Sequence, residues 1–185
     1  MSAPFALVRL QSLHDRTAFN SGSEPLDHYF RQQVTQDVRR RVTVCYVALT
    51  PEQRIAGFYT LASAGLLLSE LPASVGKKLP RYPSVPAVRM GRLAVDQDFR
   101  GLGLGGALLA DALDRVIRSE IAAYALVMDA KDEPAAAFYR HQGLMALPDQ
   151  PMTLFLPLAT ARGAGELDKK RITHEAIVIR TYRSA

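Results

Sequence analysis

Residues 92–106 read Arg-Leu-Ala-Val-Asp-Gln-Asp-Phe-Arg-Gly-Leu-Gly-Leu-Gly-Gly and carry more structural information than any other part of the chain. Leu93, Ala94 and Val95 form a short apolar strand. Glycines at 101, 103, 105 and 106 follow, and an apolar-periodic helix begins at once. Glycines at a strand-to-helix junction let main-chain N–H groups approach a ligand closely. The helix start adds unpaired donors and partial positive charge. Together these features make a cradle for a pyrophosphate, with Arg100 at its mouth as a further charge-assisted donor.

Two better-known phosphate loops do not fit. No Lys-Ser or Lys-Thr follows the glycines, as a Walker loop requires. A dinucleotide fingerprint opens its domain, whereas here other strands precede the loop. Working outward, Phe5, Leu7, Val8 and Leu10 predict a first strand, and Asn20 to Pro25 a turn. A helix is expected over 26–40, with Leu26, Tyr29, Phe30, Val34 and Val38 on one side. Strands are expected at 42–49 and 55–68, with Gly57 as a bulge position, and a proline-punctuated stretch at 69–86. The central strand is expected over 88–95. The helix after the loop should run over 104–121, burying Leu104, Leu108, Leu109, Ala112, Leu113, Val116 and Ile117, with Asp111, Asp114, Arg115 and Arg118 wet. A strand at 125–128, a helix at 133–142 capped by Asp132, and a strand at 152–158 complete the pattern.

A second motif lies about 35 residues past the glycines: Ala135-Ala-Ala-Phe-Tyr-Arg-His-Gln-Gly-Leu144. With Arg100-Gly101-x-Gly103-x-Gly105 it resembles the GNAT N-acetyltransferases, whose later helix reads A-x-x-F-Y-x-x-x-G-F; Leu144 replaces the last Phe. The likeness spans residues 5–158. It implies an α/β (α+β) GNAT fold: a central mixed, mostly antiparallel sheet flanked by helices and splayed between its two central strands. The expected layout is one acetyltransferase domain over 1–158 and an extension over 159–185, where residues 175–182 read either as one strand at the sheet edge or as a mobile or partner-binding segment.

By the same resemblance the coenzyme is acetyl-CoA, held without a metal by Leu93, Ala94, Val95, Arg100, Gly101, Leu102, Gly103, Leu104, Gly105 and Gly106, with Asp132 and Phe138. Tyr139 is implied as the catalytic acid. A phenol near ~10 can protonate a thiolate whose conjugate acid is near ~8.5; the alternative is an aromatic packed on the sheet beside Phe138. No general base stands out among Asp96, Glu133 and His141, each of which also reads as a loop, helix-end or surface residue. That favours an α-amine, which titrates near ~8, over a lysine near ~10.4.

Further segments resemble the toxin branch of the family: Phe19 to Tyr29, Gly57-Phe-Tyr-Thr-Leu61, Tyr82-Pro-Ser-Val-Pro86, Gly91-Arg-Leu-Ala-Val-Asp96 and Met128-Asp-Ala-Lys-Asp-Glu133. That branch acetylates the α-amine of aminoacyl-tRNA and blocks translation. A small antitoxin of ribbon-helix-helix type neutralises it, operator DNA is met only through that complex, and homodimers are usual. Candidate tRNA contacts are Arg39, Arg40, Lys77, Lys78, Arg81, Arg89 and Arg92, each of which also reads as solvated surface. The alternatives are a GNAT enzyme acting on a small amine or protein N-terminus, a non-catalytic acyl-CoA-binding regulator, and a DNA-binding protein. No helix-turn-helix pattern supports the last.

Composition bounds these readings. A chain of 185 residues with 48% apolar and 22% charged residues suits one soluble enzyme domain. Its single cysteine, Cys45, excludes a disulfide framework and reads as a buried thiol. Without a leader or an apolar run of ~18 residues, the expected location is cytoplasmic and off the membrane. The net charge of +5 divides as +2 over residues 1–158 and +3 over 159–185, so overall basicity alone is weak support for nucleic-acid binding.

Overall fold

The computed structural model describes residues 5–161 and 179–181. In chain order its elements are β1 (Phe5–Arg9), α1 (Glu24–His28), a π-helical turn (Tyr29–Gln33), α2 (Val34–Arg39), β2 (Val44–Leu49) and β3 (Ile55–Leu67). There follow a short 3-10 turn (Leu68–Glu70), α3 (Ala73–Gly76), β4 (Ser84–Val95), a second 3-10 turn (Gln97–Phe99) and α4 (Leu104–Arg118). The remaining elements are β5 (Ala125–Asp129), α5 (Glu133–His141), β6 (Met145–Leu147), β7 (Gln150–Pro157) and β8 (Ile179–Thr181). The described residues divide into two compact units through which β3, β4 and α4 run: 5–61, 92–112 and 179–181 belong to one, and 62–91 with 113–161 to the other.

In the first unit the strand order is β4-β3-β2-β1-β8. β1, β2 and β3 pair antiparallel in sequence, and β8 pairs parallel to β1 from Phe5↔Ile179 to Leu7↔Thr181. The strand expected over 175–182 is thus described at Ile179–Thr181, and its other residues lie outside the described ones. The core here is aromatic. Phe30 and Phe58 stack with centroids 4.0 Å apart, and Phe19 meets both edge-on. Ile55, Val47 and Val34 close around them. Phe30 and Phe58 are fully buried, each worth about 2–3 kcal/mol of apolar transfer. The helix expected over 26–40 spans Glu24–Arg39, and its π turn buries Tyr29 and Phe30 together. The Arg16 guanidinium donates to the Phe30 carbonyl at 2.7 Å, satisfying a group within that turn.

In the second unit the order is β6-β7-β5-β4-β3. β5 runs parallel to β4 and antiparallel to β7, and β6 completes a hairpin with β7. Ala-Leu-Val-Met of β5 is buried throughout, as a strand covered on both faces should be. Leu66, Leu71, Val85, Ala87, Val127 and Phe155 form this unit's core.

The mixed, mostly antiparallel sheet flanked by helices agrees with the sequence reading, while several local expectations do not. β6 was not expected, since Met-Ala-Leu is too short to show an alternation. The bulge falls at Ala56 rather than at Gly57: Ala48 faces Gly57 and Leu49 faces Ile55, leaving Ala56 as the extra residue. Gly57 answers a different demand. A Cβ there would stand 3.0 Å from both the Ala94 carbonyl and a Leu108 methyl, so its hydrogen lets β4 and α4 approach. Asp111 is not on the wet face of α4. It is buried and accepts a short hydrogen bond from the buried Tyr59 hydroxyl, a β3 partner that helix periodicity cannot reveal. Cys45 is buried, and burial pushes its thiol up to about 12. Among the described residues no helix is long and apolar enough to cross a membrane, and no group of three His, Cys, Asp or Glu could hold a metal.

Candidate active site

β4 changes character along its length. In the second unit it pairs with β5 from Ala87↔Ala125 to Met90↔Met128, and there the ladder stops. In the first unit it continues to Val95 beside β3. Arg92 N–H donates to Thr60 Oγ1 at 3.1 Å and Asp96 N–H to the Ala56 carbonyl at 2.8 Å, so the even-numbered amides face β3. Strand alternation turns the amides of Leu93 and Val95 to the opposite edge, past the end of the β5 ladder. Such main-chain donors can pair with an extended acyl chain or polarise a carbonyl.

The loop that follows is built for main-chain donation. Gly101 and Gly103 adopt φ of 75° and 78°, conformations that L side chains rarely take. A Cβ at Gly101 would meet nothing within 4 Å, so the space is open and the demand there is conformational. The first helical bond of α4 runs from Ala107 N–H to the Gly103 carbonyl at 3.1 Å, which leaves the amides of Leu104, Gly105 and Gly106 without an intrahelical acceptor. These donors, the positive end of the α4 dipole and the missing side chains fit a pyrophosphate.

A network that sequence reading missed fixes this loop. The Asp96 carboxylate, itself buried, accepts from Asn20 N–H and Asp98 N–H at 3.0 Å each and from Arg54 at 3.1 Å. Gln97 N–H donates to the Asn20 carbonyl at 2.9 Å, and the Arg100 guanidinium donates to the Ser21 carbonyl. Ser21 is in turn held by Asp27 of α1, whose Oδ1 accepts its N–H at 2.9 Å and its hydroxyl at 2.6 Å. Asp27 is only 3% exposed. A buried carboxylate three residues into a helix that otherwise buries aromatics was the available signal. Arg100 therefore reaches across to the turn at 20–22 instead of hanging free at the mouth.

Tyr139 sits on α5 in the second unit, 8% exposed and edge-on to Phe138 with centroids 5.4 Å apart. Asp132 caps this helix as expected, accepting from Ala135 N–H at 2.9 Å. Gly143, at φ 97°, closes it, and Leu144 is buried. Burial first, and the nearby Asp132 carboxylate second, push the Tyr139 hydroxyl up to about 12. It keeps its proton at every working pH and is a neutral donor.

The other candidates separate cleanly. Asp96 accepts three hydrogen bonds from its own fold, Glu133 is ion-paired with Arg140, and His141 is exposed at the end of α5. Of the basic residues, Arg89 pairs with Asp129 at 2.5 Å, and Arg92 lies over the Tyr29 ring at 3.4 Å. Arg39 and Arg40 are exposed at the end of α2 in the first unit; Lys77, Lys78 and Arg81 are exposed on the loop after α3 in the second.

Residues 7–144 match the model of the acetyltransferase (GNAT) family. The chain is 34% identical over 164 residues to a tRNA-acetylating toxin of Mycobacterium tuberculosis, covering 88% of this chain and 97% of that protein. The structure of AtaT complexed with acetyl-methionyl-tRNAfMet superposes with a TM-score of 0.80 at 28% identity, over 87% of this chain and 99% of that one. The structure of AtaTR bound with AcCoA gives 0.76 at 25% identity, over 88% and 98%.

Proposed function

We propose that this chain, which belongs to the acetyltransferase (GNAT) family, is a toxin that moves the acetyl group of acetyl-CoA to the α-amine of an aminoacyl-tRNA and so stops translation. The observation that carries the coenzyme half of the reading is the run of main-chain donors along one strand end and one helix mouth: the amides of Leu93 and Val95, then the left-handed glycines 101 and 103, then the acceptor-free amides at 104–106. Leu102 contributes its amide within that loop, Ala94 keeps β4 against Gly57, and Arg100 adds its cation from the Ser21 side. Acetyl-CoA supplies an acetyl group activated as a thioester. The strand amides orient and polarise its carbonyl, a kind of stabilisation typically worth ~3–4 kcal/mol per donor at a developing oxyanion.

Tyr139 is the proton donor of the proposal. The amine nitrogen forms its bond to the acetyl carbon as the carbon–sulfur bond breaks; the Tyr139 Oη proton goes to the departing sulfur, and the proton the nitrogen sheds on becoming an amide passes to water, from which the phenol is reprotonated. Burial keeps the phenol protonated and in place; with the hydroxyl pushed up to about 12 against a thiol near ~8.5, full transfer is uphill, so the proton moves in step with cleavage of the carbon–sulfur bond. Asp132 and Phe138 act behind it: Asp132 fixes the start of α5, and Phe138 packs edge-on against the phenol ring. With Asp96 held by three internal donors and Glu133 ion-paired, the chain offers these carboxylates to its own structure and not to the amine. An amine that is partly neutral at pH 7 is the matching substrate, and an aminoacyl ester provides one. The tRNA-acetylating activity in the name of the 34%-identical relative supports this.

Lys77, Lys78, Arg81, Arg39 and Arg40 are the proposed phosphate contacts. The neutralising partner is a ribbon-helix-helix antitoxin, through which alone operator DNA is met, and the working form is a cytoplasmic homodimer. Light scattering on the purified chain checks the last point. The deciding experiment is transfer from radiolabelled acetyl-CoA to charged tRNA, with uncharged tRNA and free amino acids beside it. Label retained by the charged species alone is the expected result, and equal labelling of free amino acids would remove the tRNA assignment.

A further inference from the structure

Among the described residues, the loop between α3 and β4 is the one place where an exposed aromatic ring stands within a run of unpaired cations. Residues 71–95 contain no Asp or Glu, while Lys77, Lys78 and Arg81 fall within five positions of one another. None of these three makes an ion pair among the described residues, in contrast to Arg89 of the same unit, which Asp129 neutralises. Beside them Tyr82 is 66% exposed. Burial does not explain a tyrosine there, and no side-chain hydrogen bond ties it down among the described residues.

The loop is nonetheless fixed. Leu79 packs against the core of the second unit. The N–H groups of Lys77, Lys78 and Leu79 donate to Ala73, Val75 and Gly76 at 3.1–3.2 Å, closing α3. Tyr82 N–H donates to the Pro80 carbonyl at 2.8 Å, and the Pro83 carbonyl accepts from Leu68 N–H at 3.1 Å. Pro80 and Pro83 restrict the backbone on both sides of Arg81 and Tyr82. The ring is thus held out to solvent on a stiff support, and little conformational freedom is left to lose on contact.

From this arrangement we propose that Tyr82 is a stacking platform for an unpaired nucleobase, with Lys77, Lys78 and Arg81 on the flanking phosphates, so that the loop grips a single-stranded RNA end. Every base has a face to stack, and cations beside an exposed ring are how sequence-tolerant single-strand surfaces are built. A duplex offers its phosphates but not its base faces, so the ring adds nothing there. The inference deepens the reading of the substrate as a charged tRNA and rests on it, since the aminoacyl group hangs from a single-stranded 3′ end.

The test uses the full chain and a 5′-fluorescein-labelled single-stranded RNA ending in CCA, with a blunt RNA duplex as the control. Tyr82→Ala is expected to weaken single-strand binding about 10- to 100-fold and to leave the duplex unmoved, while Tyr82→Phe, which keeps the ring, restores the parent affinity. Lys77→Ala and Lys78→Ala each lower the salt slope by about 0.7, a change Tyr82→Ala does not make. Unchanged single-strand affinity in Tyr82→Ala, or an equal loss in Tyr82→Phe, overturns the platform. In acetyl transfer to charged tRNA, a raised KM in Tyr82→Ala supports it. A parent that transfers acetyl while Tyr82→Ala is kinetically identical overturns the platform and spares the proposed function. A parent that transfers nothing overturns the proposed function, and the RNA-binding arm then decides the platform on its own.

Discussion

The glycine loop and helix α5 put different parts of the residue to use. From Leu93 to Gly106 the atoms proposed to act are main-chain N–H groups, displayed by the end of a ladder, two left-handed glycines and a helix start. On α5 the atom proposed to act is one side-chain oxygen, Tyr139 Oη, in a buried setting. The contrast says how each region should fail. A main-chain site is damaged by changes of backbone conformation or of the supports that fix it, and the loss appears as coenzyme affinity. A side-chain site is damaged by deleting one atom, and the loss appears as turnover.

The largest expected effect tests the second half of that statement. Tyr139→Phe removes one hydroxyl and keeps the ring beside Phe138. It should lower kcat by about 10²- to 10⁴-fold, the usual contribution of a positioned acid, with acetyl-CoA affinity held. Stopped-flow turnover beside calorimetric binding separates the two numbers, and near-normal kcat would break the comparison. The same burial has a signature in stability. Tyr139 and Cys45 titrate near 12 in the fold, against ordinary values near 10 and 9. Above pH ~9 the unfolded chain therefore binds fewer protons than the folded one, and by linkage stability falls as pH rises. The contribution of these groups is fully present below pH ~9 and is lost toward pH 12. Denaturant midpoints measured from pH 8 to 11 should decline, and Tyr139→Phe should flatten part of that decline.

The loop was legible because its signal is local. Gly101-x-Gly103-x-Gly105 following Leu-Ala-Val states a strand, a turn that tolerates positive φ, and a helix start in consecutive residues. The support beneath it was not legible. Asp27 meets Ser21, which meets Arg100, 79 positions from Ser21 in the chain, and no periodicity connects them. Asp111 misled for the same reason, since its partner Tyr59 lies 52 positions away. Arg89 and Arg92 looked like their basic neighbours until the fold supplied Asp129 and the Tyr29 ring. Periodicity sees one element at a time, and the identity of the opposing side chain is what it lacks.

That hidden support gives the next prediction. Asp27→Ala strands the buried Ser21 N–H and hydroxyl, and a buried donor without an acceptor costs about 1–3 kcal/mol. Thermal unfolding should shift down accordingly. Acetyl-CoA affinity should fall with it, because the Ser21 carbonyl that holds Arg100 loses its anchor. Normal coenzyme affinity in a folded Asp27→Ala protein would uncouple the network from the loop. Gly103→Val acts on the loop directly. A branched residue at φ 78° is strained by about 1–2 kcal/mol, so affinity for acetyl-CoA should drop roughly five- to thirtyfold while kcat at saturation changes less than in Tyr139→Phe.

The smallest expected effect concerns Arg92 of β4. Its guanidinium lies 3.4 Å from the centroid of the Tyr29 ring, and that ring's hydroxyl donates to Asp37 at 3.0 Å. Burial, with Asp37 beside it, holds the Tyr29 phenol well above its ordinary value, so the ring under the cation stays neutral and keeps its π face available. Arg92→Ala should therefore cost about 0.5–1 kcal/mol of stability through the lost cation–π contact. It should leave the salt dependence of RNA binding where the parent has it, because an arginine laid on an internal ring is not releasing counterions from a phosphate. Lys78→Ala should do the reverse, with an unchanged midpoint and a shallower salt slope. If both variants lower the slope equally, Arg92 leaves Tyr29 to meet RNA, and the distinction between internally partnered and solvent-facing cations would have to be redrawn.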